Sequence, residues 1–72
     1  MYGVVLFFGT QGALRAEKVL RKAGHVVKLI PTPRQLSSDC GVALRFTWVD
    51  CKQVQDFLTG AHVDFDTISP LN

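Results

Sequence analysis

The sequence predicts an α+β fold: one four-stranded antiparallel sheet with two helices on one face. Three observations predict it. Four short segments are patterned as strands and two as helices, in the order β-α-β-β-α-β. The connections between them are short, with no linker, repeat or low-complexity run. Right-handed crossovers then leave a split βαβ arrangement, a ferredoxin-like plait, as the economical solution. The chain has 72 residues, 47% of them apolar and five of them Phe, which is too hydrophobic for a disordered tail and too short for a second core. Residues 1–72 are therefore expected to form one domain.

The first strand is Tyr2-Gly3-Val4-Val5-Leu6-Phe7-Phe8, β-branched and aromatic with no polar alternation, as suits a central strand covered on both faces. Gly9 breaks it. Thr10 is expected to cap a helix running to about Ala23, with Ala13, Ala16, Val19, Leu20 and Ala23 on one side and Arg15, Lys18, Arg21 and Lys22 on the other. Gly24 supplies a left-handed stop. A second strand covers His25–Ile30, with Lys28 marking it as a partly exposed edge, and Pro31 ends it. Thr32-Pro33-Arg34-Gln35 has the pattern of a short capped turn over about Arg34–Ser38.

Val42–Trp48 alternates cleanly, placing Val42, Leu44, Phe46 and Trp48 on one face and Ala43, Arg45 and Thr47 on the other. This is the third strand. Asp50-Cys51-Lys52-Gln53 reads as a capping box, with Val49 and Val54 as a hydrophobic staple, and opens a second helix that buries Val54, Phe57 and Leu58 and stops at Gly60. His62–Asp66 alternates as a fourth strand, and Ser69–Asn72 reads as a tail.

Composition narrows the function. A net charge of +2 is too small to mark a nucleic-acid surface, the basic helix side is expected to be a solvated face, and the aromatic signature of RNA-binding plaits is absent. The N-terminal apolar run is too short to span a bilayer and lacks a basic leader, so no membrane partner is expected. Two cysteines are too few for a secreted disulfide scaffold, and a reducing cytoplasm is the expected location. There is no Ser-His-Asp order, no paired carboxylate with an apolar pocket signature and no phosphate loop, and His25 and His62 have no ligand spacing with the cysteines, so neither a metal nor a cofactor is expected.

One stretch is not explained by core building. Pro31-Thr32-Pro33-Arg34-Gln35-Leu36-Ser37-Ser38-Asp39-Cys40-Gly41 puts a single thiol after a small polar run at the threshold of a strand. In a plait of strand order 4-1-3-2, the start of the third strand lies beside the ends of the first two. Cys40 and Gly41 would then meet Gly9, Thr10 and Pro31, where the free N–H groups of Thr10, Gln11, Gly12 and Ala13 favour a thiolate. Gly12 would admit a ligand close to the backbone, and Arg34 would add positive charge. The residues leave a second reading open, in which Cys40 is a packed small hydrophobe. Cys51, on the buried side of the second helix, reads as packing. A Cys40–Cys51 bridge is not expected, because the strand between them would set the two residues roughly 20 Å apart. His62 reads as a surface residue.

The run Leu29–Phe46, LIPTPRQLSSDCGVALRF, resembles the signature of a small bacterial domain family labelled selenium/sulfur carrier-like, and the likeness extends to the first strand, Thr10 and Ala16-Glu17-Lys18. The resemblance implies that Cys40 is a carrier thiol, with Pro31, Pro33, Arg34, Ser37, Ser38 and Gly41 around it. It further implies a persulfide or selenenyl-sulfide on Cys40, with sulfur or selenium donor and acceptor proteins as partners, and a carrier rather than an enzyme. The Cys-Pro-x-Pro motif of other sulfur-relay carriers is absent. A rival expectation is an interaction module that docks a partner, or a second copy, through an uncovered apolar sheet face. A thiol redox enzyme is disfavoured by the lack of a resolving cysteine.

Overall fold

In a computed structural model, which describes residues 1–33 and 41–71, the elements are β1 (Tyr2–Leu6), α1 (Thr10–Lys22), β2 (Lys28–Pro31), β3 (Val42–Thr47), a 3₁₀ turn (Trp48–Asp50), α2 (Cys51–Gly60) and β4 (Thr67–Leu71). The sheet order is β2-β3-β1-β4 and every neighbouring pair is antiparallel. This is the expected plait. The all-apolar β1 takes an interior position, with β3 on one side and β4 on the other.

Alternation along the strands sorts the two faces. Val5, Leu44 and Phe46 face the helices and join Ala16 and Leu20 of α1, Val54 and Leu58 of α2, Val27 and Val63 in one cluster. Each large member contributes roughly 1.5–3 kcal/mol by leaving water. Phe46 and Trp48 stack with centroids 6.0 Å apart over Gly3, where a Cβ would lie 2.5 Å from Trp48 and 2.6 Å from Phe46. Only glycine lets the rings approach the strand this closely.

On the other face Val4, Leu6 and Ala43 form a second cluster with Ile30 and Leu71 packed against it. Val4 and Ala43 are 0% exposed and Leu6 is 6% exposed, so the centre of this face is not the uncovered apolar patch expected from sequence.

Both helices close by the same device. In α1 the N–H of Gly24 donates to Arg21 O and that of His25 to Leu20 O, with Gly24 at φ 92°. In α2 the N–H of His62 donates to Thr59 O and that of Val63 to Leu58 O, with His62 at φ 57°. These are Schellman caps, and in α2 the residues at the two ends of the longer bond, Leu58 and Val63, also pack together in the core. The left-handed position of α2 is thus His62, not Gly60.

Several expectations change. α1 is capped by Gly9 without a side-chain hydrogen bond, and Thr10 is its first residue rather than its cap. β2 starts at Lys28 because His25 is spent on the α1 cap, on an edge-to-face contact with Phe57 at 5.4 Å and on Asp50, whose Oδ2 lies 3.7 Å from Nδ1. Asp50 does hold the position before α2, yet its side chain makes no capping bond. Val49 is 82% exposed, so the staple with Val54 does not form. Trp48 leaves β3 for the turn, its N–H donating to Met1 O. Phe57 is half-exposed against His25 instead of fully buried.

The largest correction is β4. His62–Asp66 is cap and connection, and the strand is Thr67–Leu71, which takes in Ser69, Pro70 and Leu71 of the stretch expected to trail as a tail. The ladder begins where Asp66 N–H donates to Leu6 O at 2.7 Å. Among the described residues, no helix is long and apolar enough to cross a membrane.

Candidate functional site

The segment between β2 and β3 is bounded by two feet that the sheet holds side by side. Pro31 pairs with Val42 at the end of the β2–β3 ladder, and the N–H of Thr32 donates to Gly41 O at 3.0 Å. A Cβ on Gly41 would lie 3.7 Å from Thr32 Oγ1. On the other side of β3, Ala43 pairs with Leu6 at the end of β1. The start of β3 therefore lies beside the ends of β1 and β2, as the sequence led one to expect. Arg34, Ser37, Ser38 and Cys40, with the expected turn over Arg34–Ser38, lie outside the described residues. Pro33 is half-buried at the edge of the described part, and Gly41 is exposed.

A second feature sits where β1 gives way to α1. A cleft of about 350 Å³ is lined by Phe8, Gly9, Gln11, Gly12, Arg15, His62, Val63 and Asp64. The first turn of α1 carries no acidic residue, and its leading N–H groups have no partner one turn back. Gly12 is half-buried, and a Cβ there would reach 3.4 Å from the Phe7 ring and 3.5 Å from Asp64 O. Phe8 is 77% exposed at the rim. The arrangement offers backbone donors and one guanidinium beside an aromatic wall, a setting suited to an anion.

Of the expected site residues, Gln11 and Gly12 line this cleft, while Pro31 and Gly41 belong to the loop feet. Among the described residues, Thr10, Pro31, Pro33 and Gly41 do not line it. Arg15, His62 and Asp64 were not expected there. Arg15 was assigned to a solvated face, yet it follows Gln11 by four positions and so shares its side of the helix; its Nη2 donates to Ala61 O at 3.2 Å, tying α1 to the end of α2. His62 is exposed, as expected, but reaches the rim through its left-handed cap position rather than from a strand.

Cys51 has a free thiol, half-buried against the core at the start of α2, in keeping with a packing role. Between it and Gly41 lies the whole of β3.

A family model described as "Putative Se/S carrier protein-like" matches residues 2–70. No curated protein and no solved structure matches the chain.

Proposed function

The chain belongs to the Se/S carrier protein-like family, and from that premise we propose that it carries sulfur or selenium on the thiol of Cys40 in a reducing cytoplasm. The match over residues 2–70 carries this reading. It is supported by the register that sets Gly41, next to Cys40 in the chain, beside Thr32 at the sheet end where β1 finishes.

The chemistry is an exchange without a net oxidant. The Cys40 thiolate attacks the outer sulfur of a donor protein's persulfide, a new S–S bond forms, the donor's S–S bond breaks, and the donor's thiolate leaves. Selenium follows the same course through a donor Se–S bond, leaving a selenenyl-sulfide on Cys40. Transfer to an acceptor thiolate reverses the step. The N–H groups at the start of α1, with Arg34, Ser37 and Ser38, stabilise the thiolate and the terminal S⁻ or Se⁻ in this reading.

The test is alkylation of Cys40 against pH in a Cys51→Ala background, followed by intact mass, and loading from a small-molecule persulfide. We expect an alkylation midpoint well below the ordinary thiol value of about 8.5, and a mass gain of one sulfur that Cys40→Ala abolishes. Undiminished loading of Cys40→Ala, or slow alkylation with an ordinary midpoint, would leave Cys40 as a packing residue.

A further inference from the structure

The sheet face away from the helices holds a pair of cations that the fold sets against each other. Lys28 and Arg45 are direct cross-strand partners, so their side chains leave the same face at neighbouring positions. Like charges placed so are mutually repulsive. Among the described residues, no carboxylate comes within 4.0 Å of either. In the next row of the same face, Tyr2 pairs with Thr47. The Arg45 guanidinium lies over the Tyr2 ring with Cζ 4.4 Å from the centroid. A cation–π contact of this kind engages the guanidinium charge without using its in-plane N–H donors.

The topology also supplies a recess. β3 runs on to Thr47, but its pairing with β2 stops at Lys28↔Arg45, since Val26 and Val27 have not yet joined the sheet. The gap is a hollow of about 140 Å³ that Tyr2, Val26, Lys28, Arg45 and Thr47 all line. Val26, at 89% exposure, forms an open apolar lip.

We propose that this hollow is an oxyanion site, taking a phosphoryl or carboxylate group. Arg45 holds the group through two in-plane N–H donors, Lys28 supplies the second charge, and the hydroxyls of Tyr2 and Thr47 complete the donor set. The anion converts a repulsive cation pair into a bridged one. The hollow, at about 140 Å³, has room for one such group. Arg45 lies four residues beyond Gly41, roughly 13 Å along an extended chain, so this site is separate from the carrier chemistry and does not depend on it.

The experiment is an amide NMR titration of the full chain with potassium phosphate and, separately, potassium acetate, each against potassium chloride at matched ionic strength. We expect saturable shifts at Tyr2, Lys28, Arg45 and Thr47, with the Kd at least tenfold weaker in Lys28→Gln and Arg45→Gln. Saturation by phosphate alone assigns a phosphoryl-bearing ligand, by acetate alone a carboxylate, and by both an oxyanion site of either kind. Lys28 is exposed, so Lys28→Gln decides the matter if Arg45→Gln does not fold. Shifts that follow ionic strength equally in chloride, or a Kd unchanged in Lys28→Gln, overturn the proposal.

Discussion

At the scale of single residues, backbone conformation was less legible than side-chain type. Gly24 is legible because glycine after an apolar helix is a direct signal, and it sits at φ 92°. His62 is illegible for the converse reason: a histidine gives no hint that it will occupy the left-handed position, whereas Gly60, two residues earlier, does. A left-handed conformation costs a side-chain-bearing residue on the order of 1–2 kcal/mol. His62→Gly is expected to raise unfolding free energy by up to about 1 kcal/mol, once the greater freedom of glycine in the unfolded chain is set against it. Urea denaturation checks this; a loss of stability would mean that the imidazole makes contacts outweighing the strain. Asp50 shows a related limit. Its type and position announce a cap, but its carboxylate sits 3.7 Å from His25 Nδ1, a partner contributed by another element.

At the scale of elements, period gave the type of each segment more dependably than its place. β1, β3 and both helices fell close to where alternation and the 3.6-residue stripe put them, because each has a buried side that the core enforces. β4 did not. His62–Asp66 alternates because the α2 cap buries Val63 and the following connection half-buries Phe65, with exposed residues between. The true strand, Thr67–Leu71, contains Pro70, which lowers strand propensity and is tolerated because β4 is an edge. Pro70 also denies a further strand one backbone donor on that edge. A variant ending at Asp66 distinguishes strand from tail. Loss of Ile68 alone removes on the order of 2 kcal/mol of burial, and β1 becomes an edge. We expect a sharply lower Tm with loss of cooperative unfolding, where removal of a tail would leave the Tm unchanged.

At the scale of the whole molecule, strand order and helix placement were legible, since the order of elements and short connections leave few topologies. The segment holding Cys40 stands out by composition and family resemblance rather than by periodicity, and lies outside the described residues. The Arg15 and His62 contributions to the cleft were hidden because they arise from α1 meeting the end of α2, a tertiary fact with no local signature. The same architecture predicts how opening is distributed. β1 is bonded on both sides and its Val4 and Val5 are fully buried, whereas β2 and β4 each have one free edge. Hydrogen exchange is expected to be slowest at β1 and the facing part of β3, and faster at β2 and β4. Equal protection across all four strands would instead indicate opening only by global unfolding.

The pairing of Tyr2 with Leu71 has a consequence for how the chain comes into being. The strand synthesised first cannot complete its hydrogen bonding until residue 71 has cleared the ribosome. Until then β1 offers an unpaired, apolar edge to whatever is nearby. Folding of this sheet therefore waits on the emergence of Leu71, and a nascent-chain chaperone that shields residues 2–6 would act on its most vulnerable interval.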